Sequence, residues 1–274
     1  ANIINEGGAI LHGGNGLLQI SATGTIDNDG GRIATNGALA LEASTLSNQA
    51  GEITANRHGA VTATGTINNA SGTIASDAGL SLSAPTLINT GGSIETAGLL
   101  TLNATGFAGD HGRILASGSN GDLQVRVTGS ISGSGVMASG GTAQIEAASI
   151  RVGSNGRLSA TGALQASALT GDLLIDGGIV DANTISLTVT NGAIRTGSDG
   201  LILAQSALVA NARTIGFDGG IAQAQTISIA ADNLSNAGGL VNALGSANIS
   251  ISDYLDNDDG EIFGSALLVR AGRL

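Results

Sequence analysis

The sequence predicts an all-β fold, a parallel β-helix of roughly 12–13 coils with about 20–23 residues in each. Three observations predict it. A short motif, aliphatic-x-Asn-x-x-Gly-x-Ile with conservative swaps, returns at intervals of 20 to 23 residues within the 274-residue chain. Each copy is followed at a fixed offset by a run of alternating apolar and polar residues, the two-residue period of a strand with one buried face. The composition, with 45 Gly, four aromatic residues, one Pro and no Cys, suits an aliphatic core and many tight corners.

In chain order the motif reads IINEGGAI around Asn5, IDNDGGRI around Asn28, LSNQAGEI around Asn48, INNASGTI around Asn69 and LINTGGSI around Asn89. It returns as LSNAGGLV around Asn236 and LDNDDGEI around Asn257. Neighbouring asparagines lie 23, 20, 21 and 20 residues apart in the first group and 21 apart in the last. Counting 11, 13 and 15 residues on from Asn28 reaches Leu39, Leu41 and Ala43. The same offsets give Gly59, Val61 and Ala63, then Leu80, Leu82 and Ala84, then Leu100, Leu102 and Ala104, and finally Ala247, Ile249 and Ile251. After Asn5 the row slips by two, to Leu18, Ile20 and Ala22, which accounts for the 23-residue interval. Such alternation excludes helix. For the coil that begins at Asn28 it predicts strands at Arg32–Ala34, Leu39–Ala43 and Thr45–Leu46.

A unit of about 20 residues cannot bury its own apolar face, but stacking on its neighbours buries it. One interior column is therefore expected to contain Leu41, Val61, Leu82 and Leu102, with Ile249 in the corresponding row near the end. Identical amides one coil apart can hydrogen-bond above and below. Asn5, Asn28, Asn48, Asn69, Asn89, Asn236 and Asn257 are accordingly expected to form a structural ladder at a tight corner. Gly and Asn at fixed places are expected to supply the corners with positive φ, and the Gly three residues after each Asn marks the turn. Between 107 and 232 the motif degrades. GFAGDHGRI keeps the Gly and the Ile, with Gly109 or Asp110 in place of the Asn, and strand-like runs such as LQVRV, AQIEA and ISLTV persist. The expected organisation is a single shaft over 1–274, with regular repeats at 1–106, degenerate repeats at 107–232 and regular repeats returning at 233–274.

Composition bounds the chemistry. The chain is 42% hydrophobic and 11% charged, with a net charge of −11. All ten cations are Arg, scattered from Arg32 to Arg273, so no basic patch exists to hold nucleic acid. No apolar run is long enough for a membrane-spanning helix. Without Cys there is no thiolate metal site and no Cys nucleophile. The chain opens Ala1-Asn2-Ile3 without Met and is read as a fragment or processed segment.

Parallel β-helices include carbohydrate-active enzymes, which line clefts with aromatic residues and clustered acids. Here Phe107, Phe217, Tyr254 and Phe263 are scattered. The acids Asp253, Asp256, Asp258, Asp259 and Glu261 read as a solvated corner, with Ca²⁺ binding or a general acid–base pair as the alternatives. His12, His58 and His111 fall at different coil offsets and read as surface residues. No residue is assigned as catalytic, cofactor-binding or metal-ligating. The expectation is a non-enzyme without cofactors.

The coils TLSNQAGEITANRHGAVTATG, TINNASGTIASDAGLSLSAP and TLINTGGSIETAGLLTLNATG resemble filamentous haemagglutinin repeats, over residues 1–106 and 233–262 and less closely between. Such repeats form the shafts of two-partner-secretion exoproteins, both adhesins and contact-dependent growth inhibition effectors. The resemblance implies a right-handed β-helix, exported by an outer-membrane two-partner-secretion transporter through a region outside this chain. It also implies display on the extracellular face of a Gram-negative cell. The Asn-Pro motifs of that family's secretion domain are absent, since the one proline, Pro85, follows Ala84. The implied function is a structural shaft extending an adhesive or toxin-delivery tip toward a host-cell or target-bacterium receptor. The alternatives are an adhesin module that binds host glycan or receptor through its sheet faces and, behind it, a carbohydrate-active enzyme.

Overall fold

A computed structural model describes residues 1–273. Among them there is no helix, and the strands pair in parallel as a β-solenoid whose turns number about 13 in all. The chain divides into two compact units, Ala1–Thr142 and Ala143–Leu274. The division falls inside the stretch where the corner motif is degenerate.

In the first unit a coil consists of a four-residue strand, a sharp turn and a longer strand that bends. Glu52–Ala55 is followed by His58–Asn68, Thr73–Ser76 by Gly79–Ile88, and Ser93–Thr96 by Leu99–Ala108. The coil after Asn28 therefore has two strands, Arg32–Thr35 and Ala38–Ser47, where the alternation alone predicts three. The second and third predicted strands are one strand with a register shift between Ala43 and Thr45. There the partner strand supplies an extra residue, so Ala43 faces Ala63 while Thr45 faces Thr66, and the bulge bends the strand onto another face. Pro85 sits at such a shift, between Ser83 and Thr86, where no ladder N–H is needed.

Aliphatic columns fill the first unit, three of them made of Ile, Leu and Val alone, beside a fourth of Leu39, Leu80, Leu100 and Leu123 that Gly59 interrupts. Ile20, Leu41, Val61, Leu82, Leu102 and Val125 are successive register partners. So are Ile33, Ile53, Ile74, Ile94 and Ile114. Ile26, Leu46, Ile67 and Leu87 form the third. Each pair differs by one coil length, so similar shapes repeat down the column. That is why a close-packed interior is reached with so few aromatic residues.

The second unit mixes sizes. Ile145, Ala166, Leu187, Ala210, Ile229 and Ile249 follow one another in register, beside Ala143, Leu164, Ile185, Leu208, Ile227 and Ala247. Ile145 stands beside Ala143, whereas Ala166 stands beside Leu164. Volume missing from one column is thus supplied by the next, and the interior stays filled without a strict repeat.

Candidate functional site

Among the described residues, the motif asparagines build a continuous polar seam along the corners. In the first unit Asn5 Nδ2 donates to Asn28 Oδ1 at 2.6 Å, Asn28 to Asn48 at 2.6 Å, Asn48 to Asn69 at 2.7 Å and Asn69 to Asn89 at 2.8 Å. The other N–H of each of these amides reaches backbone carbonyls. For Asn48 these are Gly51 O at 3.3 Å and Thr73 O at 3.1 Å. Asn28, Asn48, Asn69 and Asn89 are fully buried, so every amide group needs a partner, and the neighbouring coils supply one. The five residues pin corner to corner across successive coils.

The Gly three residues after each Asn does not itself carry the positive φ of the corner. That conformation belongs to the residue before it: Gly7, Gly30, Ala50, Ser71, Gly91 and His111 in the first unit, with φ between 51° and 63°. The following Gly is required by crowding. A Cβ on Gly31, Gly51, Gly72, Gly92 or Gly112 would lie 2.0–2.1 Å from the carbonyl oxygen of the asparagine one coil back. The corner thus has two separate constraints, one on backbone conformation and one on space.

A second column, with buried hydroxyls in it, runs at the opposite end of the short strands from the ladder and is not marked by the motif. His12, Thr35, Ala55, Ser76, Thr96, Ala116 and Ser139 are successive register partners at the ends of the short strands. Ser76 and Thr96 share a hydrogen bond of 3.0 Å, and Ser76 Oγ donates to Gly79 O at 2.6 Å. The signal was the Ser or Thr closing RIAT, TIAS, SIET and VMAS.

The ladder stops where the side chain changes. Asn89 Nδ2 donates only to Gly92 O and Arg113 O, because Gly109 holds the next corner position. Gly112 N still donates to Gly109 O at 3.0 Å, so the turn survives the loss of the amide.

In the second unit the corner position falls to Phe217, then to Asn236 and Asn257. Phe217 is fully buried, Gly220 N donates to its carbonyl, and Gly219 takes the positive φ. Asn236 Nδ2 donates to Asn257 Oδ1 at 2.7 Å. Its own Oδ1 is buried without a partner, since the phenyl ring one coil back has no N–H to offer. Asn257 itself is exposed.

The remaining candidates are dispersed. Among the described residues no group of three or more His, Cys, Asp or Glu is placed to hold a metal. Of the acids near the end, Asp253 pairs with Arg273 at 2.6 Å, while Asp256 accepts the backbone N–H of Asp258. His12 shares a hydrogen bond with Thr35, His58 is exposed, and His111 occupies a corner at φ 56°. Ion pairs such as Arg157–Asp181, at 2.7 Å, join successive coils on the outside, and that pairing raises the Arg157 pKa. Asp122 accepts the backbone N–H and then the hydroxyl of Thr142, which lowers its pKa. No helix is long and apolar enough to cross a membrane.

Comparison with known protein families finds the haemagglutinin repeat matching residues 1–30, 13–71, 59–119 and 96–168. These overlapping matches span 1–168, more than half of the chain. They take in the whole ladder from Asn5 to Asn89 and continue past Gly109. The corners at Asn236 and Asn257, whose LSNAGGLV and LDNDDGEI keep the same pattern, lie outside them. No curated protein and no solved structure matches the chain.

Proposed function

The chain belongs to the haemagglutinin repeat family, and on that premise we propose that it is the shaft of a surface-displayed bacterial exoprotein, holding an adhesive or toxin-delivery tip away from the cell. The family is a structural, adhesin-type one, secreted and associated with the cell surface. One observation carries the reading: coil after coil repeats the same register, with side-chain amides spent on holding neighbouring corners together. Such a design adds reach by adding coils. Export runs through an outer-membrane two-partner-secretion transporter, to the exterior of a Gram-negative cell.

The test is replacement in the parent protein. Exchanging these residues for an unrelated β-solenoid of similar coil number should preserve adhesion or toxin delivery, and deleting them should impair it. Loss of activity in the exchanged protein would assign the chain more than a spacer's role. Removing the transporter should retain the protein inside the cell, out of reach of external protease.

A second reading, an adhesin module that binds host glycan, is favoured by one feature of the second unit. Thr188, Asn211, Arg213, Asp232 and Ser252 line a shallow groove alternately with Val189, Ala212 and Ala230, so that polar groups stand on an apolar floor, with Arg213 3.7 Å from Asp232. Binding of the isolated chain on a glycan array, abolished by Arg213→Ala, would select this reading over the spacer.

A further inference from the structure

We infer that Asn15 is a site of spontaneous backbone modification, deamidating well ahead of the other Asn-Gly pairs in the chain. Five such pairs occur, at 15–16, 36–37, 120–121, 155–156 and 191–192. In this reaction the Gly nitrogen attacks Asn Cγ. A C–N bond forms, the Cγ–Nδ2 bond breaks, and the Gly proton leaves with the side-chain nitrogen as ammonia. Water then opens the cyclic imide at either carbonyl, giving Asp or isoaspartate. The step needs a Gly N–H free to lose its proton and an amide free to turn toward it.

All five asparagines are exposed, so exposure does not choose between them. Hydrogen bonding does. Gly37 N is bound to Thr35 Oγ1 at 3.0 Å, and Asn36 Nδ2 to Gly13 O at 3.0 Å. Gly121 N donates to Gly118 O, and Gly156 N to Gly153 O, both at 2.8 Å. Asn191 is held through its side chain, which donates to Leu169 O at 3.3 Å. At Asn15, among the described residues, neither the amide nor the Gly16 N–H has a hydrogen-bond partner. Space is open too, since a Cβ placed on Gly16 would meet nothing within 4 Å. The pair lies directly before the strand Leu17–Ser21, so isoaspartate there inserts a methylene into the chain where the coil turns. Either product adds a negative charge that accumulates with the age of the protein.

Incubating the folded chain near neutral pH and mapping its peptides by mass spectrometry over days tests this. Residue 15 should convert to Asp and isoaspartate about tenfold or more faster than residues 36, 120 and 155, with residue 191 between. In denaturant the five rates should converge. Gly16→Ala should suppress conversion at Asn15 and leave the unfolding midpoint in place. Conversion at Asn15 no faster than at Asn120 or Asn155 overturns the inference. So does a gap that persists in denaturant, because local sequence rather than the fold would then set it.

Discussion

At the scale of single residues, the corner has two requirements, a backbone angle and room for a close carbonyl, and they fall on neighbouring residues. Ser71 holds φ at 55° with a side chain in place, while Gly72 sits against the Asn48 carbonyl. Ser71→Gly should therefore stabilise the protein by about 0.5–1 kcal/mol, the relief of left-handed strain less the added chain entropy. Gly72→Ala has no comparable escape. Its Cβ would lie 2.0 Å from a backbone oxygen that belongs to the ladder, so a loss of about 3 kcal/mol or more is expected. Denaturant unfolding of the two variants checks both signs. If Gly72→Ala were the milder change, the crowding account of this glycine would fall.

At the scale of the strand, packing is set by register partners one coil away. Leu82 is fully buried between Val61 and Leu102, so Leu82→Ala should cost about 2–5 kcal/mol as a cavity substitution. An unchanged unfolding midpoint would contradict that register. The loop at Asp122 adds a pH dependence. Its carboxylate pKa is lowered in the folded state by the Thr142 backbone N–H first and the hydroxyl second. The resulting stabilisation is present above the unfolded value of 3.8 and is lost as pH falls through the lower folded value. Asp122→Asn should flatten the acid end of the stability profile, losing at neutral pH the stabilisation the carboxylate supplies and converging with the parent protein below about pH 4; the loss stays small because the carboxylate is close to water. Thermal midpoints measured against pH would show it.

At the scale of the molecule, a solenoid is a sum of coils and their nearest-neighbour contacts, which makes whole coils removable. Deleting residues 69–88 takes out one coil of 20 residues and brings Asn89 to the corner above Asn48, with Leu102 on Val61. The shortened chain should fold with the same far-ultraviolet signature of sheet. Its denaturant m-value should fall in proportion to the surface one coil buries. An aggregated or unfolded product would show that the coils of the first unit are not interchangeable. The aliphatic columns support the expectation, since Leu, Val and Ile succeed one another in them without a partner unique to any coil.

The sequence by itself determined the fold class and the coil length. In a stacked parallel architecture, residues one repeat apart in the chain are neighbours in space, so a spacing of 20 or 21 residues is already a contact. The same arithmetic made the asparagine period visible. Which asparagines meet depends on what stands between them, and the degenerate corners hid that. Phe217 holds an asparagine position whose flanks, IGFDGG, keep those of IDNDGG around Asn28, so the frame was legible but the side chain was not an amide, and the buried Asn236 Oδ1 left without a donor follows from it. Only the tertiary structure decided which glycine answers to backbone angle and which to space. The oxygen that excludes a Cβ at Gly72 belongs to Asn48, in the previous coil, and a local pattern cannot register how closely another coil approaches.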